Sequence, residues 1–410
     1  MTPMEYHSGK CRFETAPGRV EQDGPCRVAL DVDHLIIAPE GQPPHSLYYS
    51  DIDRLTAEDY AVQLLLHDGP RCTLYFLGRY YGQFVADLRG RRSAQLIRNL
   101  LMLDAEPQKE FRGACTRLLP DGERQEDPAC TITLYRSSLV VEPSGFDPWN
   151  LAYNDITAMS FNREAYRLEL QTDLGEQLSF AMLGTRFGEL EQEIRRLTDQ
   201  LQERTARLLA ERLPEATPRG PAAIATVLLQ GRAVPLPVVQ QAAPGLWPEL
   251  EQLLFAADEG EVDEVRRTGF QHLCRLASPE HVFIGLREPF ESTGENPRPL
   301  FWFIIAYPER QVMAVEVTNE SGYATYLYAM EGPVDQAVRE LNRAMVALNF
   351  RREVISASEQ ELASERLARY RVALRKLPHL RRLRHLFRGR VAHTSEEAWR
   401  RGVEAALGAG

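Results

Sequence analysis

Leu47-Tyr48-Tyr49-Ser50-Asp51-Ile52 and Leu151-Ala152-Tyr153-Asn154-Asp155-Ile156 carry one pattern, Leu-x-Tyr-x-Asp-Ile, 104 residues apart. Working outward, Gly9 and Cys11 match Gly113 and Cys115, Cys26 matches Cys130, and Leu30 matches Leu134. Leu35-Ile36-Ile37 matches Leu139-Val140-Val141, and Pro39 matches Pro143. Two inserted residues then move the offset to 106, so that Tyr60, Val62 and Leu64 match Tyr166, Leu168 and Leu170. Leu77-Gly78, Tyr81-Gly82 and Leu88-Arg89 match Leu183-Gly184, Phe187-Gly188 and Ile194-Arg195. Matches sustained over that length with one small shift mark a tandem duplication, and a repeat decides how the rest is read.

Each copy reads as short strands followed by one helix. Val28-Leu30-Val32 and Ile132-Leu134 alternate with polar residues, the period of a half-buried strand. Tyr60-Val62-Leu64-Leu66 and Tyr166-Leu168-Leu170 alternate in the same way. Asp68-Gly69 and Asp173-Leu174-Gly175 are hairpin turns, returning through Leu74-Phe76 and Leu178-Phe180-Met182. After Gly184 the period becomes helical: Phe187, Leu190, Ile194, Leu197 and Leu201 share one face, which continues through Leu208. This second helix is expected to reach about Leu213 and to outrun its counterpart, where Phe84, Leu88, Ile97 and Leu100 step less regularly across Gly90. Its excess face is expected to pack on the following region or on a second subunit.

Strands in this order, the Leu-x-Tyr-x-Asp-Ile segment and a closing helix resemble the pleckstrin-homology-like superfold and its GRAM relatives, over residues 9–103 and 113–210. The tryptophan common in that family's closing helix is absent from both copies. The resemblance implies two β-barrels, each closed by its C-terminal helix, and a binding or scaffolding role. In lipid-binding members, basic residues of the first two strands hold inositol phosphates. Here Arg12 and Arg19 face Glu14, Glu21 and Asp23, and Arg117 and Arg124 face Asp121, Glu123, Glu126 and Asp127. Phosphate needs clustered cations, so these net-acidic segments argue against phosphoinositide binding.

Residues 213–221, rich in Pro and Gly, read as a linker. Residues 222–350 read as an α+β domain. It has a helix from Pro248 to Ala257, strands at Leu300–Tyr307, Val312–Val317 and Tyr323–Tyr328 forming an antiparallel meander, and a helix after Gly332-Pro333 carrying Val334, Val338, Leu341, Met345 and Leu348. The fold class is therefore α+β: two tandem barrels, then this domain, then a helical tail over 351–410.

The chain has 410 residues and a net charge of −10, against bulk attraction to nucleic acid or anionic lipid. No stretch approaches the ~20 apolar residues of a membrane span, and residues 1–10 lack a signal-peptide pattern. The expected location is the cytoplasm, with the six cysteines reduced. The repeat-matched pairs Cys11/Cys26 and Cys115/Cys130 are expected on neighbouring strands as free core thiols, since neither shows a Cys-x-x-Cys spacing.

Ten basic residues and no Asp or Glu fall between Arg366 and Arg390, leaving 38 Lys and Arg against 58 Asp and Glu elsewhere. Leu367, Tyr370, Leu374 and Leu377, then Leu380, Leu383 and Phe387 after Pro378, predict two short basic amphipathic helices. Arg375, Lys376, Arg381, Arg382, Arg384, Arg388 and Arg390 are the candidate contacts for a polyanion or partner. The arm has three possible fates: solvation, docking on the acidic remainder of the chain, or binding an external anionic lipid or nucleic acid.

The chain has no phosphate loop, Gly-x-Ser-x-Gly or His-Glu-x-x-His. His272 and Cys274 form an isolated His-x-Cys on a helix, and the aromatics Phe301, Trp302, Phe303, Tyr307, Tyr323, Tyr326 and Tyr328 suit a sheet core with one partly exposed face. No catalytic residue, cofactor or metal is expected. The reading is a non-enzymatic scaffold with a protein partner. The alternatives are a polyanion binder acting through the arm and an enzyme housed in the α+β domain.

Overall fold

A computed structural model of the chain describes residues 4–67, 69–100, 106–213, 216–255, 264–288, 299–318, 324–364 and 366–408. Asp68, Tyr323 and the turn residues 319–322, all part of the sequence reading, lie outside these. The chain forms two compact units: Met1–Leu103 with Val141–Trp149 and Ala363–Leu377, and Asp104–Val140 with Asn150–Leu362 and Pro378–Gly410.

The first copy is a curled antiparallel sheet of seven strands. They are β1 (Met4–Ala16), β2 (Arg19–Leu30), β3 (His34–Pro39), β4 (His45–Tyr48), β5 (Ile52–Glu58), β6 (Ala61–Leu66) and β7 (Arg71–Tyr75), in the order β4-β3-β2-β1-β7-β6-β5. Helix α1 (Tyr81–Asn99) follows. The second copy has β8 (Lys109–Leu118), β9 (Arg124–Leu134), β10 (Ser138–Pro143), β11 (Trp149–Ala152), β12 (Ile156–Asn162), β13 (Arg167–Thr172) and β14 (Gln177–Ala181). Their order, β11-β10-β9-β8-β14-β13-β12, is that of the first sheet strand for strand. Helix α2 (Phe187–Arg212) has 26 residues against 19 for α1, as the longer apolar stripe predicts.

The repeated motif has a structural reason. Tyr49 and Tyr153 are buried, and each hydroxyl donates to a backbone carbonyl just after the second strand, Asp31 O at 2.9 Å and Tyr135 O at 3.0 Å. A buried hydroxyl needs such an acceptor, and this pairing ties the β4–β5 corner to the β2–β3 turn. In both copies the backbone carbonyl of the motif aspartate is used: Asp51 O accepts from His67 N and Asp155 O from Asp173 N, at 3.2 and 2.9 Å. Gly113 is required by close approach, since a Cβ there would lie 2.4 Å from Ala181 O. The cysteines behave as expected: Cys11 and Cys26, and Cys115 and Cys130, lie on neighbouring strands, and all six are free thiols. Cys72 joins Cys11 and Cys26 in the first core, which also takes Phe84, Val85 and Leu88 of α1.

Beyond α2 come α3 (Arg219–Val227), β15 (Ala233–Pro235), α4 (Leu236–Ala242), α5 (Trp247–Leu254), α6 (Glu264–Arg275), β16 (Val282–Arg287), β17 (Leu300–Tyr307), β18 (Val312–Val317), β19 (Ala324–Ala329), α7 (Val334–Ala347), α8 (Glu353–Ser356), α9 (Glu359–Leu362), α10 (Ala368–Lys376), α11 (Pro378–Leu386), β20 (Phe387–Ala392) and α12 (Glu396–Gly408). The end of the expected linker is thus helical, with Pro221 in the first turn of α3, where its missing N–H costs nothing. Leu209 and Leu213 of α2 pack with Ile224 and Leu228, which is where the excess apolar face goes.

The expected three-strand meander is part of a six-strand antiparallel sheet, β15 to β20 in chain order. Both of its faces are covered, a correction to the expected half-exposed sheet. Phe301, Phe303, Ile305 and Tyr307 share a core with α6 and α12, while Trp302 on the other face donates its Nε1 to Asn342 of α7 at 2.9 Å. Coverage on both faces is why Leu300–Tyr307 is continuously apolar rather than alternating. The Trp302 ring lies over Gly285 of β16, where a Cβ would approach it to 2.0 Å.

A second correction concerns the arm. Its helices are α10 and α11, but Phe387-Arg388-Gly389-Arg390 is strand, paired antiparallel to β19. The Leu383-to-Phe387 step of four imitates a helix, whereas Phe387, Gly389 and Val391 alternate with more exposed neighbours.

Candidate functional site

The seven candidate cations of the arm have different surroundings. In the first unit, Lys376 is buried and donates to Ile52 O at 2.8 Å and Asp53 O at 3.2 Å, with Asp147 Oδ2 at 3.6 Å. Arg92 of α1 serves the same carbonyls at 3.1 and 3.2 Å and also bonds Asp147. Burial is the main cause pulling the Lys376 pKa down, with repulsion from Arg92 next. In the second unit, Arg382 pairs with Glu331 and Glu340 at 3.2 and 3.1 Å, and Arg384 with Glu359 at 3.4 Å and Ala357 O at 2.8 Å. Arg390 lies over the Tyr326 ring at 5.8 Å. Arg375, Arg381 and Arg388 are exposed.

The second unit holds a denser charge cluster that the sequence reading missed. Arg343 of α7 meets Asp155 at 3.3 Å, Asp173 at 2.8 Å and Glu176 at 3.6 Å. Glu176 also pairs with Arg117 at 2.7 Å. Burial raises the Asp155 pKa to about 6 despite Arg343, with Asp173 and Glu176 adding to the rise. Burial, helped by Arg343, lowers His379 at the start of α11 to about 4. His379 Nε2 is buried without a hydrogen-bond partner. Asp155 follows the buried motif tyrosine, and Ile52 holds the next motif position in the first copy. The two clusters therefore use the same corner of the repeat: Lys376 at one copy, Arg343 at the other.

A second pair of features is also repeated, and it points outward. Tyr60 and Phe76 are 76% and 70% exposed, and Tyr166 and Met182 are 70% and 75% exposed. All four have positive φ, 59°, 58°, 47° and 56° respectively. That region is disfavoured for any bulky L-residue, by about 1–2 kcal/mol. Ala61 pairs with Tyr75 across β6 and β7, which puts Tyr60 and Phe76 side by side at the end of the hairpin. Leu168 pairs with Phe180, which does the same for Tyr166 and Met182. The helix starts complete each corner: Tyr81 lies 5.3 Å from Tyr60, and Phe187 lies 6.2 Å from Tyr166 and 3.9 Å from Phe161, ring centre to ring centre. The matched tyrosines and the Leu-Gly pairs were legible in sequence; their exposure was not.

Two further arrangements bear on enzymatic chemistry. Glu316, Thr325 and His393 meet beside Trp399, but Glu316 and Thr325 both approach the same ring nitrogen, His393 Nε2, at 3.3 and 3.2 Å. A base relay needs the orienting acid and the nucleophile on different nitrogens. An open groove of about 400 Å³ crosses the outer face of β12, β13, β14 and β8, lined by Thr116, Ser160, Glu169, Gln171, Gln177 and Ser179. That lining offers hydrogen bonds and one exposed carboxylate, Glu169, but no thiol and no histidine. Cys274 lies on α6 as expected, and burial raises its thiol pKa to about 12, far from a reactive thiolate. Among the described residues no cluster of His, Cys, Asp or Glu is arranged to hold a metal ion, and no helix is long and apolar enough to cross a membrane.

No protein-family model matches the chain, and no curated protein matches it.

Proposed function

We propose that this chain is a cytoplasmic, non-enzymatic scaffold whose two pleckstrin-homology-like modules, each a barrel closed by its following helix, bind protein partners through their repeated apolar corners. The observation that carries this reading is the recurrence, at matched positions of both copies, of bulky exposed side chains on a disfavoured backbone. Apart from the ring contacts of Tyr60 with Tyr81 and of Tyr166 with Phe187, these side chains face solvent, and strain of this kind concentrates where ligands are held. Exposed apolar groups gathered at one corner are also what a partner buries.

The alternative of polyanion binding through the arm is less favoured. Lys376, Arg382 and Arg384 spend their charge on carbonyls and carboxylates of their own units. Retention on heparin or anionic vesicles that falls steeply with salt would favour that alternative instead. The test of the main reading compares partners isolated with the native chain and with a Tyr60→Ser, Phe76→Ser, Tyr166→Ser, Met182→Ser variant. Partners lost from the variant and insensitive to salt support it; an unchanged set contradicts it.

A further inference from the structure

The two corners share an apolar design but differ in charge. At the first corner, Lys10 Nζ stands 5.3 Å from the centre of the exposed Phe76 ring. The Arg79 guanidinium stands 4.9 Å from the Tyr80 ring and donates to its hydroxyl at 2.8 Å. Neither cation is ion-paired to a carboxylate among the described residues. The nearby Asp23 is already held by Arg12 at 2.9 Å and by the Tyr75 hydroxyl. At the second corner the residue matching Lys10 is Ala114 and the one matching Arg79 is Thr185, while the adjacent Arg186 pairs with Glu189 at 2.8 Å.

We infer that the first corner is a docking site for a short peptide segment in which an apolar side chain neighbours a carboxylate. The apolar side chain lies against Tyr60, Phe76 and Tyr81, and the carboxylate meets Lys10 and Arg79. Charge complementarity selects this occupant. Two cations spread over exposed rings repel a basic segment, and a wholly apolar one leaves them partly desolvated without a counter-charge. The second corner, with neither cation at the matched positions and Arg186 already paired, takes an apolar segment without that requirement. The inference rests on the reading of the corners as partner sites and adds what the first one recognises.

The test selects random twelve-residue peptides displayed on phage against the full-length chain. The enriched peptides are then measured as synthetic, dye-labelled probes. Peptides with an apolar residue beside Asp or Glu are expected. Their affinity should fall at least tenfold for the Tyr60→Gly, Phe76→Gly variant and for Lys10→Gln, Arg79→Gln, with the second variant also losing the salt dependence. Tyr166→Gly, Met182→Gly should leave their affinity unchanged. Glycine tolerates positive φ, so the corner variants keep the fold, and an unchanged melting temperature checks this. Enriched peptides that need only the second corner would overturn this inference while leaving the repeated-corner reading in place. No enrichment at either corner would overturn both. Self-association or binding to phosphatidylserine vesicles that is lost with Tyr60→Gly, Phe76→Gly would assign the first corner a different occupant and overturn the peptide.

Discussion

Tyr60 and Tyr166 stand at the same turn of the two copies, both largely exposed and both with positive φ, 59° and 47°. Neither is glycine, the residue that would adopt that conformation without strain. Replacement by glycine removes about 1–2 kcal/mol of strain, restores about 0.5–1 kcal/mol of chain entropy to the unfolded state and loses a ring contact of similar size. Tyr60→Gly and Tyr166→Gly should therefore leave stability unchanged within about 1 kcal/mol. Urea denaturation of the full chain is the check, and a large loss would mean the tyrosines hold the fold rather than await a partner.

Removing Arg343 should be costly. Arg343→Leu leaves Asp155, Asp173 and Glu176 crowded without their shared cation, and breaking a buried pair from one side costs about 3 kcal/mol or more. Arg343→Leu combined with Asp155→Asn should recover part of the loss. A urea midpoint that does not move with Arg343→Leu would show that the cluster is solvated.

The pH dependence of the same cluster has two opposed parts. Asp155 titrates at about 6 when folded, above the ~3.9 of an unfolded aspartate, so its contribution is present at low pH and is lost as pH rises through about 6. His379 titrates at about 4 when folded, below the ~6.5 of an unfolded histidine, so its contribution is present at neutral pH and is lost as pH falls towards 4. Between pH 6 and 4 the two slopes offset each other. His379→Gln should make the protein gain stability on acidification across that window, and Asp155→Asn should make it lose stability more steeply. Parallel pH profiles for the native chain and both variants would contradict these assignments.

The cysteines offer a chemical check. All six are free, and burial pushes the Cys26 thiol up to about 12. Unfolding without reductant should release six reactive thiols, whereas the native protein should react slowly. Recovery of four or fewer would indicate disulfides and an oxidising location.

Leu201 of α2 is buried, and Leu208 packs beside the core shared with α3. Leu201→Asp should cost at least about 3 kcal/mol by burying an unpaired charge, and Leu208→Asp less. An unchanged melting temperature for Leu201→Asp would place that face in solvent.

How much of this was legible in the sequence follows from what each signal depends on. The repeat, the length of α2 and the strand pairing of the cysteines rest on local periodicity, and periodicity survives in sequence. Strand β16 and the small elements around β15 rest on coverage from both faces of the third sheet, which erases alternation in Val282–Arg287 as in β17. Strand β20 was hidden because Leu383 and Phe387 happen to fit a helical step. Among site residues, the arm's cations were visible as a charge run, but which of them are consumed internally depends on long-range contacts such as Lys376 with Ile52. The Arg343 cluster gave no local signal at all, because its members are gathered from β8, α7 and the two turns that precede β12 and β14.

The most direct test of the central claim is photo-crosslinking from single benzoyl-phenylalanine replacements at Tyr60, Tyr166 and Tyr48 of the full chain in its native cell. Tyr48 is also exposed, at 50%, but belongs to neither corner. The repeated-corner reading predicts defined crosslinked products from Tyr60 and Tyr166 and none from Tyr48. Products that are equal at all three positions, or missing from Tyr60 and Tyr166, would contradict it.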